Sequence, residues 1–240
     1  MVHAQPAGVV FLLDVDNTLL DNDRVTADLR HHLEQEVGTA CAERYWTIFE
    51  RLRNELGYAD YLGALQQYRA DAATAGQDVH QLLLTSSFLV DYPFADRLYP
   101  DALNAVARLG EFGPTVILTD GDVVFQPRKI VRSGLWDAVD GRVLIYIHKE
   151  SMLGEVTRLH PARRYVMVDD KLRLLTAMKQ TMGERLVTVF VRQGHYAADR
   201  AAIARYPAAD RTIERIGDLL TLDLAALIAG DQRQLFSASE

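Results

Sequence analysis

The chain is 240 residues long, 49% apolar and 25% charged, and its 26 basic and 33 acidic residues give a formal charge of −7. This balance supports a substantial core; it argues against unassisted binding to nucleic acid, which needs clustered Lys and Arg, and no run approaches the roughly 20 apolar residues of a membrane span. A single cysteine, Cys41, excludes an intramolecular disulfide and a Cys-based zinc site.

Taken in chain order, GVVFLLD (8–14) predicts the first strand. Its N-terminal lead, MVHAQPAG, has no basic region and no long apolar stretch, so no signal peptide is expected and the protein is expected to be cytoplasmic. About 95 residues without strand character follow. Their apolar spacing predicts helices over 26–37, 39–56, 59–72 and 79–90, and DYPFADRLYP (91–100) reads as the returning linker. Cys41 falls in the second of these helices as a small, half-buried residue. Thereafter helices alternate with strands: a helix over 100–113, PTVILTD (114–120), a helix around FQPRKIVRSG, RVLIYIH (142–148), RYVMVDD (164–170), a helix over 171–183, and RLVTVFVRQ (185–193). Continuous rather than alternating hydrophobicity marks strands covered on both faces. The expectation is an α/β fold with a doubly wound, mainly parallel Rossmann-like sheet. Residues 1–20 and 95–240 would form the core and 21–94 an inserted helical domain.

Ligands of open α/β sheets bind at the carboxyl ends of the strands. Those ends carry Asp14-Val15-Asp16-Asn17-Thr18, Thr119-Asp120-Gly121-Asp122, His148-Lys149 and Asp169-Asp170. Residues i and i+2 of an extended segment face the same way, so Asp14 and Asp16 can share a site. Converging carboxylates repel unless a cation is present, and Mg²⁺ suits hard oxygen ligands and bridges them to phosphate. An ionised Asp can attack phosphorus, a second carboxyl can protonate the leaving oxygen, and a lysine with a hydroxyl can hold the transferring charge. A calcium loop starting at Asp14 fails on spacing, since its sixth and twelfth positions hold Leu19 and Val25. A polar turn for Asp14-Asp16 and a helix N-cap for Asp169-Asp170 are the plainer alternatives.

With these residues in this order, the chain resembles the haloacid dehalogenase superfamily of phosphohydrolases across residues 9–170. Its DxDxT motif is matched by Asp14 to Thr18, its hydroxyl motif by Thr119, its lysine motif by Lys149 and its acidic pair by Asp169-Asp170. The resemblance implies Asp14 as nucleophile and metal ligand, and Asp16 as general acid/base with its backbone carbonyl on the metal. It implies Thr119 and Lys149 on the phosphoryl group, Lys149 also restraining Asp14. Asp170 would complete the Mg²⁺ shell with Asp169 beside it, Thr18 would support the turn, and the helical insert would be the family's cap. Asp120 departs from the Asn often found at its position and is a substrate-side candidate, as is His195 at the carboxyl-end rim. Lys129 competes for the lysine motif, but stands where family members often carry a structural helix lysine. Tyr45, Arg51, Arg53 and Arg69 read as solvated or helix-pairing, and His31-His32 point too far apart for one metal.

Within the family, dehalogenases and phosphonate-cleaving relatives lack a carboxylate at the Asp16 position. Asp16 therefore selects phosphomonoester hydrolysis or phosphoryl transfer, and a mutase would keep the same motifs. Receiver domains use similar residues but place the acidic pair first and the lysine last, without a large insert after strand one. A non-catalytic binding relative would be expected to lose a motif residue, and none is missing. The expectation is a Mg²⁺-dependent phosphatase forming an aspartyl phosphate from a small phosphorylated metabolite, with no nucleic-acid or membrane partner.

Overall fold

Alternation within the first apolar run sets the architecture. In β1 (Ala7–Leu13), Val9, Phe11 and Leu13 enter one core while Val10 and Leu12 enter another, as the two-residue period of a strand requires. Both faces are covered, so the run has no polar side. The computed structural model describes residues 7–73 and 79–229.

Four helices follow β1: α1 (Asn22–Glu36), α2 (Thr39–Leu56), α3 (Tyr61–Ala73) and α4 (Val79–Asp91). The chain continues through α5 (Ala102–Gly110), β2 (Thr115–Asp120), α6 (Phe125–Arg132), α7 (Leu135–Ala138) and β3 (Val143–Tyr146). A 3-10 turn (Lys149–Ser151) leads to α8 (Leu153–Leu159), β4 (Ala162–Asp169), α9 (Leu172–Met182) and β5 (Leu186–Val191). The described chain ends with α10 (Gly194–Ala198), α11 (Arg200–Ile203), β6 (Arg211–Ile213) and α12 (Leu224–Ala229). All six strands are parallel, in the order β3-β2-β1-β4-β5-β6. Leu13 is level with Ile117 of β2 and Val168 of β4. Asp14 therefore emerges between the two neighbouring strand ends that bear Thr119 and Asp169. Among the described residues no helix is long and apolar enough to cross a membrane.

The helical segment begins at Asn22, earlier than the apolar period indicates, because Asp21 accepts the Arg24 N–H at 2.9 Å and caps α1. The chain segments that enter and leave it run side by side: Tyr99 N–H donates to Leu19 at 2.9 Å and Asp21 N–H to Arg97 at 2.8 Å. A row of rings then ties the helices to the sheet, with Phe49 on Tyr61 at 4.7 Å, Tyr61 on Phe125 at 5.3 Å and Phe94 on Phe125 at 5.6 Å. β6 matches no expected strand. It has three residues, of which only Ile213 is buried.

Candidate active site

β1 delivers Asp14 while still paired: its N–H donates to Val168 at 3.1 Å. The chain then turns sharply, the Val15 carbonyl accepting from Thr18, Leu19 and Leu20 at 3.2, 2.9 and 2.9 Å. Asn17 takes the left-handed conformation (φ 61°) at this turn, which Asn tolerates better than most residues, and its Oδ1 accepts from the N–H groups of Asn22 and Asp23. Thr18 is fully buried. Its hydroxyl lies 3.4 Å from Asp14 Oδ2 and accepts the Asp170 N–H at 3.1 Å, tying the ends of β1 and β4 together.

Lys149 arrives from the 3-10 turn after β3, behind a left-handed His148 (φ 63°). Its ammonium is 1% exposed and lies 2.5 Å from Asp14 Oδ1 and 3.2 Å from the Leu118 carbonyl. Asp169 Oδ2 is 2.7 Å away, an ion-pair contact without hydrogen-bond alignment. Burial alone would lower the lysine's pKa, but Asp14, Asp169 and Asp120 outweigh it and hold it above the ordinary value. Asp120 grips the same residue by its backbone, accepting the Lys149 N–H at 2.7 Å, and burial raises its own carboxyl.

The acidic pair divides its work. Asp169 Oδ1 accepts the Lys171 N–H at 2.8 Å, so Asp169 both caps the turn into α9 and pairs with Lys149. Asp170 is fully buried, and among the described residues neither of its carboxylate oxygens has a hydrogen-bond partner. Burial pushes its carboxyl well above the usual range, against the pull of Lys171. Asp14, Asp169 and Asp170 each offer an oxygen within 4.8 Å of the others. Buried polar atoms without partners are costly, and three carboxylates exceed what Lys149 and the more distant Lys171 can balance. The all-oxygen donor set fits a hard divalent cation.

Asp16 stands apart from this trio. Its carboxylate, 21% exposed, meets Lys129 Nζ at 2.6 Å, and that buried ammonium also donates to Asn22 Oδ1 at 3.0 Å. The helix lysine is thus the partner of Asp16, a pairing between groups 113 residues apart. The signal available in the sequence was a lysine in the buried stripe of α6 with Phe125, Gln126 and Ile130. Lys129→Met should cost about 3 kcal/mol, because it leaves Asp16 without its ion partner. Lys129→Met with Asp16→Asn should recover most of that loss in urea unfolding; equal instability of the single and double variants would show the pair is not the source.

Thr119 is buried at the end of β2, its hydroxyl accepting from Gln126 Nε2 at 3.1 Å. His195 sits at the start of α10, its Nδ1 2.6 Å from Asp23 Oδ1 and its backbone N–H on Asp23 Oδ2 at 2.8 Å. Burial would raise Asp23, but hydrogen bonds from His195 and Asn17 outweigh it and hold the carboxyl below the ordinary range. Gly194 (φ 69°) makes this approach possible, since a Cβ there would lie 2.5 Å from the Asn17 side chain. Of the helical residues read as solvated, Arg51 pairs with Glu55 at 3.4 Å. Tyr45 is instead buried, donating to the Tyr61 carbonyl at 2.9 Å. Arg53 lines the cleft and donates to the Tyr196 hydroxyl. That cleft, about 590 Å³, opens between the helical segment and the strand ends, with Asp16, Asp120, Asp170 and His195 on one wall and Trp46, Phe49 and Arg53 on the other.

The sequence model of the haloacid dehalogenase-like hydrolases matches residues 9–180. A crystal structure from Burkholderia xenovorans LB400, described as a haloacid dehalogenase-like hydrolase, is 66% identical, with a TM-score of 0.85 over 91% of this chain and 100% of that one. Two more distant structures share the fold. L-2-haloacid dehalogenase from Xanthobacter autotrophicus is 19% identical (TM-score 0.58, covering 89% of this chain and 97% of its own). A magnesium-bound HAD-hydrolase from Bacillus subtilis is 16% identical (TM-score 0.59, covering 90% of this chain and 98% of its own). No curated protein matches the chain at a significant level.

Proposed function

Since the chain belongs to the haloacid dehalogenase-like hydrolases, we propose that it is a Mg²⁺-dependent phosphohydrolase that cleaves phosphomonoesters of small metabolites through an aspartyl phosphate. The observation that carries this reading is the separation of two carboxylate functions: a trio of Asp14, Asp169 and Asp170 arranged for a cation, and Asp16 held beside it by Lys129.

Asp14 is the nucleophile. Lys149 fixes one of its oxygens at 2.5 Å, while the other has, among the described residues, the long contact to Thr18 at 3.4 Å. Attack forms the Asp14 O–P bond and breaks the bond from phosphorus to the ester oxygen. Asp16, as an acid, gives that oxygen its proton and, as a base, later takes one from the water that releases phosphate. The position of Asp16 two residues from the nucleophile supports this choice of substrate, because a departing halide needs no acid whereas an alkoxide does. Lys149 and Thr119 hold the phosphoryl oxygens, and Asp120 keeps Lys149 in register through its backbone. Bound Mg²⁺ would supply charge neutralisation to the carboxylate trio and the phosphoryl oxygens, held by Asp14, Asp170 and Asp169 and by the Asp16 carbonyl. Residues 21–94 act as a cap, closing the cleft against water and choosing the leaving group, and His195 borders the substrate from the core side.

The test is a panel of phosphomonoesters and 2-haloacids, with and without Mg²⁺. Wild type should hydrolyse esters only with the metal, and Asp16→Ala should lose about 10²–10⁴-fold in kcat while still binding Mg²⁺. Halide release without ester hydrolysis, or normal turnover by Asp16→Ala, overturns the reading.

A further inference from the structure

Tyr196 stands in the cleft between two cations from different parts of the molecule. Lys171 Nζ, from the core turn after Asp170, is 4.8 Å from the centre of its ring. The Arg53 guanidinium, from α2, is 5.7 Å from the same centre and also donates to the Tyr196 hydroxyl. The ring itself is fixed, since His195 packs on it at 4.0 Å and is anchored by Asp23.

The acids around this pair are already committed. Asp16 is paired with Lys129, Asp120 accepts the Lys149 N–H, Asp23 holds His195, and Asp199 caps α11 through the N–H groups of Ala201 and Ala202. Among the described residues, no carboxylate lies within 4.0 Å of the Lys171 ammonium, whose nearest acids belong to the cation trio. Among the same residues the carboxylate paired with Arg53 is Glu50, at 3.6 Å, on a side chain that is 55% exposed and so well screened. Both cations line the cleft, and neither is needed for the phosphoryl group, which has Lys149. The trio attracts Lys171 from beyond ion-pair distance, and a cation bound there would offset that attraction and leave the Lys171 charge for an anion to balance.

We infer that Lys171 and Arg53, set around Tyr196, form a second anion site, and that the substrate is a phosphomonoester whose leaving group carries its own anionic group, a carboxylate or a second phosphate. The inference rests on the phosphohydrolase reading for the word ester, but not for the site. Lys171 directly follows Asp170, so the second charge lies close to the reacting phosphorus. Because one cation comes from the core and the other from the helical segment, an anion held by both also fixes the two parts against each other.

The experiment is calorimetric binding to the Mg²⁺-loaded protein of three non-hydrolysable probes: 3-phosphonopropionate, ethane-1,2-bisphosphonate and the uncharged-tail analogue propylphosphonate. The wild type should bind at least one of the first two about tenfold or more tightly than the third; which one wins identifies the anion. In Lys171→Met and separately in Arg53→Gln, the gap should shrink to within about threefold. Arg53→Gln guards against misfolding of the Lys171 variant, because Arg53 is partly exposed. Equal binding of all three by wild type, or variants that weaken all three alike, overturns the anion site. The binding gap without hydrolysis of any ester would leave the site standing and remove the phosphohydrolase reading; ester hydrolysis without the gap would do the reverse.

Discussion

Asp14→Asn loses phosphomonoester turnover by about 10⁴-fold or more, the scale on which removal of a nucleophile acts, yet folds with little loss of stability. The amide is isosteric with the carboxylate, and the site, 3% exposed, admits it without repacking. What disappears is the proposed nucleophile, together with one of three crowded carboxylates. Lys149 keeps Asp169 at 2.7 Å, so the buried ammonium is not stranded. Steady-state kinetics at saturating Mg²⁺, beside a thermal melt, tests both halves. Residual turnover within tenfold of wild type would remove Asp14 from the chemistry.

Asp170→Asn has effects of opposite sign on activity and stability. Turnover falls by about 10²–10³-fold as an anionic ligand is lost, and the stabilisation that Mg²⁺ confers disappears with it. Without metal the variant is the more stable protein, by about 1–3 kcal/mol, because a buried carboxylate with no hydrogen-bond partner has been removed. The pH dependence follows from the raised pKa of Asp170, caused first by burial. A carboxyl whose folded pKa lies above its unfolded value, near 3.9, favours the native state while protonated and loses that contribution as pH rises through the folded value. In EDTA the variant and wild type should therefore converge below about pH 3.9 and draw apart as pH climbs from there to the raised value, above which the gap stays constant. Urea titrations over a pH series, with EDTA and then with Mg²⁺, measure this. A wild type more stable than the variant at neutral pH in EDTA would show that Asp170 has a protein partner.

Much of this arrangement is legible in the amino-acid sequence. Buried parallel strands announce themselves by unbroken apolar runs, and a carboxylate closing such a run has few reasons to be there except chemistry. Hence Asp14, Lys149, Asp169 and Asp170, each at or just past a strand end, are brought together in space. The fold followed for the same reason, apart from three exceptions: β6, whose three residues are too short and too polar to signal; the start of α1, where the Asp21 cap overrode the apolar period; and α7 and α10 to α12, none longer than six residues and so too short to show a period. What was not legible depends on pairings across the sheet and the helical segment. Lys129 meets Asp16 from a helix 113 residues away. Arg53 reaches Tyr196 across 143 residues. Periodicity reports which face of an element is buried, but not which polar group waits on the other side. Asp120 shows the same limit: its carboxylate serves the Lys149 backbone, which no spacing within its own strand reveals.

The place of β1 between β2 and β4 also governs how the protein comes apart. Thr18 and Asp170, bonded across those strand ends, are 152 residues apart in sequence. A cation held jointly by Asp14 and Asp170 would close that same long loop, the kind of contact that completes only when the chain is nearly native. Such a contact slows unfolding without hastening folding. A metal bound there as proposed would be a kinetic rivet as much as a reagent: with cation plentiful the folded lifetime would lengthen, and where opening of β1 from β4 limits cleavage, a protease would meet the metal-free protein first.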